Sequence, residues 1–594
     1  MTYRAPLDTI RWALATAGFA EVQQQSPFAE TTDDLVDAVL DEAAKFAEGV
    51  LAPINHAGDK QGARWDDGSV TTPDGWKEAY TQFYESGWMQ LSASPEFGGQ
   101  GLPYAVGACV NEMWKSANMA FSLCPLLSHG AIEALEQHGS AALKAQFLEK
   151  MIEGRWTGTM NLTEPQAGTD LAALRSRAVP EGDHYRISGQ KIFITYGEHD
   201  LVENICHLVL ARLPDAPDGV RGISLFLVPK FLLDADGNPG ERNDLRCVSI
   251  EHKLGIHGSP TCVMSYGDND GAVGYLIGRE NEGLACMFTM MNAARHAVGM
   301  EGYSLSERAY QHALVYARDR VQGKAMLAGA EGSRGIINHP DVRRMLMDMR
   351  SRTEAMRMLG LEAACAYDLA RHADAPEVRA ASDTRGALLT PVVKGWCTET
   401  AQRVTYDGVQ IHGGMGFIEE TGAAQFYRDA RITTIYEGTT GIQANDLIGR
   451  KFTRDGGAAY LALLDEVEAQ SVALTSASDT ELAQLGQQLR EACDEVSDLA
   501  KWMLSEDRAM HHAPAAAVPF MMATGVLLGG WMHARSAERA TAALGEPGAD
   551  TAFLSTRIAL ARYYGAAVLS DVFGLVQTAR GAGESVALLD EAAM

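Results

Sequence analysis

The spacing of apolar residues changes twice along this chain, and these changes constrain the fold more than any other feature. From Asp33 to about residue 155, apolar residues recur every three or four positions, as in TDDLVDAVLDEAAKFAEGVLAPI, which is typical of helices. From 156 to about 280, short alternating or β-branched runs such as HYRISGQKIFIT indicate strands. Helical spacing returns at Gly283. The order predicts an α+β multidomain protein.

We predict five segments in the 594 residues, a length that allows about three or four domains, each with its own core. PEFGGQGLP interrupts the first helical region, because its glycines and prolines favour a loop. GRKFTRDGGAAY marks a junction before the last helices. The segments are an N-terminal extension (1–32), an N-terminal helical domain (33–155), a middle β-domain (156–280), a helical-bundle domain (281–452) and a C-terminal helical extension domain (453–594).

Composition and charge exclude several classes of protein. The chain is 46% hydrophobic and 21% charged, as in ordinary globular proteins. Its net charge of -27 opposes binding to nucleic acid and to anionic membranes, and we find no stretch of the ~18 to 20 apolar residues that a membrane span needs. The nine cysteines are scattered and form no metal-ligand pattern. With no signal peptide evident, we expect a cytoplasmic protein with reduced thiols and no metal.

The first segment that indicates chemistry is TEPQAGTD, from Thr163 to Asp170, which follows a strand-like run. Such a loop offers backbone N–H groups and hydroxyls to a phosphate or to the edge of a heteroaromatic ring. An ordinary surface turn has the same composition, so turn chemistry alone leaves both interpretations open.

The second segment is RDARITTIYEGTTGIQ, which contains Glu437. A glutamate is more commonly a solvent-exposed surface residue than a catalytic one. Between the two segments lie GQKIFITYGEHD, HKLGIHGSPTC, IGRENEGL and VQIHGGMGFIEE, and PEFGGQGLP precedes them all. In this order and spacing, the motifs resemble those of the acyl-CoA dehydrogenase family. The resemblance implies a helical domain, a β-barrel-like domain and a four-helix bundle, followed here by a C-terminal helical extension.

The resemblance also implies FAD as cofactor and Glu437 as catalytic base. Arg295 is expected to open a helix that runs to Arg320 and to line the substrate pocket. Arg320, Gln410, Gly413 and Gly414 resemble residues that reach the FAD of an adjacent subunit, so a homo-oligomer, most simply a dimer, is expected. The other FAD contacts implied are Thr163, Gly168, Thr169, Phe193, Thr195 and Thr439, and the other substrate contacts are Tyr436 and Gly438.

The chain departs from the family pattern at three positions. Tyr196 stands where an Asn is usual, the aromatic residue is missing before Gly323, and Gly441 stands where many relatives have Gln. Each departure leaves one contact of the cofactor unassigned.

The chemistry that the resemblance implies explains why a glutamate is needed. The α-proton of a saturated thioester is weakly acidic, and the β-hydrogen must leave as hydride. A carboxylate buried beside the acyl chain has a raised pKa, which brings its basicity closer to this task. Glu437 suits that role.

The chain length and the N-terminal YRAPLDTIRWAL resemble a subgroup of the family with longer chains, to which dehydrogenases of 3-methylthiopropionyl-CoA, also called 3-methylmercaptopropionyl-CoA, belong. Membership of this subgroup does not fix the substrate. The implied reaction forms methylthioacryloyl-CoA in dimethylsulfoniopropionate demethylation, with electron-transfer flavoprotein as acceptor. Met287, Met290 and Met291 fall near the expected acyl pocket, although methionines on a helix are more often core. A dehydrogenase of short or medium straight-chain acyl-CoA and, more remotely, an acyl-CoA oxidase remain alternatives.

Overall fold

The computed structural model describes residues 3–324, 327, 334–477, 479–505 and 512–594. Its first part is helical, as predicted. Thr32 caps the third helix by accepting a hydrogen bond from the Leu35 N–H, and a long sixth helix bends at Asn118. The helices are α1 (Leu7–Thr16), α2 (Phe19–Gln23), α3 (Asp33–Phe46), α4 (Ala52–Gln61), α5 (Trp76–Glu85), α6 (Tyr104–His138) and α7 (Ala141–Ile152).

A β-hairpin inside this helical part was not predicted. Strands β1 (Arg64–Asp66) and β2 (Ser69–Thr71) pair antiparallel around a two-residue turn, Asp67–Gly68, in which both residues have positive φ. Asp-Gly is the preferred sequence of such a turn. The DG pair was therefore the signal that could have revealed the hairpin.

The middle domain contains the other ten strands of the described residues. Eight of them form one sheet in the order β10-β11-β5-β12-β7-β6-β3, with β4 paired to β5; only β3 and β6 run parallel. The strands are β3 (Trp156–Asn161), β4 (Arg177–Glu181), β5 (His184–Thr195), β6 (Asn204–Ala211), β7 (Ser224–Pro229), β8 (Phe231–Leu233), β9 (Pro239–Arg242), β10 (Leu245–Ile250), β11 (Thr261–Tyr266) and β12 (Ala272–Ile277).

Side-chain hydrogen bonds connect β3, at one end of the strand order, to β5 and β11 towards the other end. The Thr159 hydroxyl on β3 donates to the carbonyl of Thr195 on β5 at 2.7 Å. The Tyr266 hydroxyl on β11 donates to the Asn161 side chain on β3, also at 2.7 Å. The sheet is therefore curled, which confirms the β-barrel-like domain.

Helices return in the third part. The long helices α8, α9 and α10 pack on one another, and a buried ion cluster joins two of them to α6: Arg357 on α9 lies 2.6 Å from Glu112 on α6 and 2.8 Å from Glu307 on α8. The bundle contains α8 (Gly283–Asp319), α9 (Pro340–His372), α10 (Pro376–His412), α11 (Ala423–Ala430) and α12 (Thr440–Asp446).

The prediction that Arg295 opens a helix was wrong. Helix α8 begins at Gly283, because no glycine or proline interrupts the residues from Leu284 to Arg295. Arg295 therefore lies inside the helix, and its side chain is buried.

The predicted C-terminal helical extension is present and packs against the bundle. It comprises α13 (Ala458–Thr475), α14 (Thr480–Leu504), α15 (His512–Ala543), α16 (Thr551–Tyr563) and α17 (Asp571–Ser585). Helix α15 contacts α9, α10 and α12. The N-terminal extension also reaches this domain, since the Trp12 indole donates to Ser536 at 2.8 Å and Arg535 donates to the Thr16 carbonyl at 2.7 Å. The exact domain boundaries stay predictions.

Two stretches of this extension, His512–Ala543 and Thr551–Gly583, are long and apolar enough to cross a membrane by length and composition. The sequence analysis had found no such stretch. The core helix of a globular protein passes the same test, and the first stretch is mostly buried here. The finding is weak evidence for a span.

The contact between α15 and α10 gives a test of the packing. A Cβ added to Gly525 would lie 2.1 Å from Cγ of the buried Trp396. We expect Gly525→Ala to destabilise the protein by about 1–3 kcal/mol, despite the better helix propensity of alanine, and to lower the thermal unfolding midpoint. Gly574→Ala in α17 is the matched control, because nothing lies within 4 Å of its added Cβ. Equal midpoints for the two variants would contradict the packing described.

Candidate active site

The TEPQAGTD loop is fixed to the sheet by a buried ion pair. Lys191 on β5 donates to the Glu164 carboxylate at 2.8 Å and to the Leu162 carbonyl at 3.0 Å. Ser176 donates to the same carboxylate at 2.6 Å. Burial alone would raise the pKa of Glu164, but the Lys191 ammonium and these donors lower it to about 2, so the pair stays charged at neutral pH. The loop is thus held in place by buried polar contacts, unlike an ordinary surface turn.

Phe193 projects from a β-bulge next to this loop. Ile192 and Phe193 together face the single residue Val263 on β11, and Phe193 has a φ of 60°. A non-glycine residue at positive φ is strained, and bulges with such residues often lie at functional sites. The ring is 58% exposed, and the Ile192 N–H donates to the Thr163 carbonyl at 2.9 Å. Phe193 and Thr163 are therefore neighbours.

This part of the structure fits the implied FAD. An exposed aromatic ring can cover one face of a flavin, and the exposed residues Gly168 and Thr169 offer backbone N–H groups and a hydroxyl. Nothing lies within 4 Å of a Cβ added to Gly168, which leaves the loop open to a ligand. Thr195 is half-buried at the end of β5. Tyr196 is buried, and its hydroxyl donates to the Ala120 carbonyl at 2.8 Å, so it joins β5 to α6 rather than facing solvent.

Glu437 lies in the turn between α11 and α12, with a φ of 54°. The turn is held through its carbonyls. The Lys394 ammonium on α10 donates to the Gly438 carbonyl at 2.6 Å, and the Gln443 amide on α12 donates to the Glu437 carbonyl at 3.0 Å. Thr439 accepts from the Ile442 N–H at 3.4 Å, which caps α12. Glu437, which the sequence predicts to be the catalytic base, is thus also the residue of this turn with a strained backbone.

Burial raises the pKa of Glu437 to about 7, and the positive charges of Arg295 and Lys394 oppose this rise. Burial likewise lowers the pKa of Lys394 to about 8, while Glu437 opposes that change. Tyr436, beside the base, donates its hydroxyl to the buried Glu301. The carboxyl of Glu437 can therefore take up and release a proton close to neutral pH.

Arg295 and a cavity of about 400 Å³ border this site. Arg295 Nη1 lies 3.6 Å from the Asp446 carboxylate, and its buried Nε has no hydrogen-bond partner in the described residues. Asp446 lines the cavity together with Asn292 and Lys451. Glu437 does not line this cavity. The cavity therefore borders the site at Asp446 and does not contain the Glu437 side chain.

The remaining predicted residues lie far from this group. Arg320 comes 25 residues after Arg295 along α8, about 37 Å at 1.5 Å per residue. Gln410, Gly413 and Gly414 are exposed at the end of α10, where His412 stacks on His312 of α8 with 4.7 Å between ring centroids. The predicted cofactor residues therefore form two separate groups within one chain.

Family models match most of the chain in the order of these domains. They are described as acyl-CoA dehydrogenase N-terminal domain (residues 34–155), middle domain (159–268) and C-terminal domain (281–451), followed by acetyl-CoA dehydrogenase C-terminal like (463–590). The chain belongs to the acyl-CoA dehydrogenase family.

Individual relatives match this acyl-CoA dehydrogenase over nearly its whole length. A 3-methylmercaptopropionyl-CoA dehydrogenase of Ruegeria pomeroyi is 50% identical over 96% of both chains. A butyryl-CoA dehydrogenase of Syntrophomonas wolfei is 34% identical over 94% of this chain and 93% of its own. The structure of a Bacillus anthracis acyl-CoA dehydrogenase complexed with FAD has a TM-score of 0.75 at 20% identity, covering 93% of this chain and 88% of that one.

These findings confirm the predicted family, fold, enzyme class, FAD cofactor and acyl-CoA substrate. The roles of individual residues stay predictions. Among the described residues, no group of three or more His, Cys, Asp or Glu side chains could hold a metal ion.

Sequence reasoning about this acyl-CoA dehydrogenase missed the residues that support the site. Lys394, Gln443 and Glu301 hold the turn that carries Glu437, and Lys191 holds the TEPQAGTD loop. Lys191 lies in the quoted strand GQKIFIT, where a lysine among apolar residues was a visible signal of a buried partner. Lys394 stands in LLTPVVKGW, which carries the same signal.

The buried pair leads to a prediction about cofactor retention. Lys191→Met leaves the Glu164 carboxylate buried without its cation, and we expect a loss of roughly 3–5 kcal/mol in stability together with weaker FAD binding. The measurement is the ratio of flavin to protein absorbance after gel filtration, with the unfolding midpoint alongside. Arg186→Met is the control, since its partner Glu181 is solvent-exposed and surface pairs contribute about 1 kcal/mol or less. Full FAD content in Lys191→Met would contradict this role of the pair.

Proposed function

We propose that this enzyme oxidises 3-methylthiopropionyl-CoA to methylthioacryloyl-CoA, with Glu437 as the base. The assignment of Glu437 as the base rests on its raised pKa and its position in a strained turn, beside Arg295 and Lys394. The acyl group rests on the 50% identity to the Ruegeria pomeroyi relative over 96% of both chains. By that relationship the enzyme acts in dimethylsulfoniopropionate demethylation.

In the proposed reaction the Glu437 carboxylate takes the proton from the α-carbon. When bound, FAD supplies an acceptor for the hydride that leaves the β-carbon. The Glu437 backbone N–H has no acceptor among the described residues, which leaves it available to the thioester oxygen as negative charge develops there. Arg295, with its unpartnered Nε, and Tyr436 and Gly438 beside the base are the proposed substrate contacts.

FAD is proposed to contact two groups of residues in the same subunit. The first group lies around the bulged end of β5 and consists of Thr163, Gly168, Thr169, Phe193 and Thr195. The second consists of Thr439, which lies near the base. The first group is supported by the fit of the exposed Phe193 ring and the open loop to a flavin.

The substrate test is anaerobic mixing of the FAD-loaded protein with 3-methylthiopropionyl-CoA and, separately, with butyryl-CoA and octanoyl-CoA. We expect the sulfur substrate to bleach the flavin band fastest. Glu437→Gln is expected to slow bleaching by at least about 100-fold while retaining FAD, because it removes the base and keeps the side-chain volume. Glu538→Gln, at an exposed position on α15, is the control.

Each outcome of that experiment decides one part of the proposal. Faster bleaching by butyryl-CoA would favour the straight-chain alternative, which the 34% identical butyryl-CoA dehydrogenase supports. Wild-type bleaching by Glu437→Gln would refute the role of the base. Rapid reoxidation of the bleached protein by oxygen would indicate an oxidase.

The rate of bleaching is also expected to depend on pH. Glu437 has to be ionised to accept a proton, and its pKa is raised to about 7. The rate should therefore rise with pH, be about tenfold below its plateau at pH 6, and level off above pH 8. The measurement is the saturating stopped-flow rate between pH 5.5 and 9. A flat profile over this range would contradict the assignment of the raised pKa to the base.

We further propose a homodimer in which Arg320, Gln410, Gly413 and Gly414 contact the FAD of the partner subunit. The distance of about 37 Å between Arg320 and Arg295 along α8 supports a division of these contacts between two chains. An apolar patch beside the group, in which Phe417 is 85% exposed, is a surface that a second copy could cover. Light scattering that gives a monomer mass for the FAD-loaded protein would contradict this proposal.

For the electron acceptor we propose electron-transfer flavoprotein, as the family resemblance implies, and for the location the cytoplasm. The nine cysteines are all free and buried, which suits a reducing compartment. Reduction of purified electron-transfer flavoprotein by the substrate-bleached enzyme tests the first proposal, and cell fractionation tests the second.

A further inference from the structure

Glu301 on α8 is a buried carboxyl group that the proposed reaction does not use. It lies six residues after Arg295 on the same helix and has no exposed surface. Its Oε2 accepts a hydrogen bond from the Tyr436 hydroxyl, and its Oε1 has no partner among the described residues. A buried carboxyl group with one oxygen unsatisfied is costly, so its presence needs a reason.

The groups that face Glu301 come from three further elements. They are Lys115 on α6, Lys394 on α10, and Tyr436 and Glu437 in the turn before α12. Lys115 is itself buried, and burial lowers its pKa to about 8, while Glu301 opposes this change. Burial raises the pKa of Glu301 to about 8, and Lys115 opposes that rise. Glu301 therefore changes its charge close to the pH range in which Glu437 does.

We propose that Glu301 is a positioning residue for Glu437: through the Tyr436 hydroxyl it fixes the turn that carries the base. This inference rests on the proposed role of Glu437.

The geometry supports this proposal. Glu437 has a φ of 54°, a conformation that a glutamate does not keep without support. Lys394 and Gln443 hold the carbonyls of residues 438 and 437 from α10 and α12. Glu301 holds the side chain of residue 436 from α8. Without this bond, the turn loses its attachment to α8 on the side that precedes the base.

Three variants test this role. Glu301→Gln keeps an oxygen that accepts from Tyr436 but removes the charge. Glu301→Leu removes both. Glu307→Gln is the matched control, because it neutralises another buried carboxyl group on α8 that contacts Arg357 and not the turn. The readouts are FAD content, substrate KM, and the pH profile of the saturating bleaching rate with 3-methylthiopropionyl-CoA, or with butyryl-CoA if that substrate is faster.

We expect Glu301→Leu to lower the plateau by roughly tenfold with little change in KM, since the Tyr436 hydroxyl then lacks its acceptor. Glu301→Gln is expected to keep a plateau near that of the wild type, because its amide oxygen can accept the same hydrogen bond, and Glu307→Gln is expected to keep the wild-type plateau. A wild-type plateau in Glu301→Leu, or a plateau in Glu301→Gln as low as that of Glu301→Leu, would overturn the positioning role.

Tyr436→Phe breaks the same bond from the other side and serves if neither Glu301 variant retains FAD. A plateau lowered by roughly three- to tenfold supports positioning, and a wild-type plateau overturns it. The failure of this inference is distinct from that of the proposed function. If the wild type shows no bleaching, or if Glu437→Gln bleaches normally, the role of the base fails first; if only the Glu301 and Tyr436 variants behave as wild type, the role of the base stands.

Discussion

A half-buried glutamate in a strained turn has to be supported from several directions, and much of this structure provides that support. Glu437 has a positive φ and a pKa raised to about 7 by burial. Lys394 on α10 and Gln443 on α12 hold the carbonyls of the turn, and Arg295 on α8 contributes positive charge. Because the supporting groups come from three helices, the site exists only when these helices are packed together.

The packing of those helices explains the elements outside the bundle. Arg357 on α9 joins Glu112 on α6 to Glu307 on α8 in one buried ion cluster. Lys394 is followed on α10 by Gly395 and Trp396, both of which lie against α15 of the C-terminal extension. Since a Cβ on Gly395 would lie 2.3 Å from Met521 Cε, the two helices approach closely at this point. The extension thus backs the helix that supplies Lys394 to the turn.

The TEPQAGTD loop is likewise held in place by a buried polar contact, here an ion pair. Glu164 lies in a loop that turn chemistry alone could not distinguish from an ordinary surface turn, and the structure shows its carboxylate buried against Lys191 of β5. The bulge that exposes Phe193 begins at the next residue of that strand, Ile192. Tyr196, which departs from the family pattern, joins the strand to α6 through the Ala120 carbonyl. In both places a buried polar contact holds a strained backbone segment.

The sequence by itself determined the order of helical and β-regions, because hydrophobic spacing is a local property, and it identified Glu437 within a motif that spans few residues. It missed the hairpin at Asp67, although the Asp-Gly pair was a local signal, and it wrongly placed Arg295 at the start of a helix that begins at Gly283. Only the tertiary structure decided that Glu301 and Lys394 meet at the turn before α12, since 93 residues separate them and each lies on a different helix. The pKa values of the site were likewise decided there, because burial and charge at a point depend on every element packed around it.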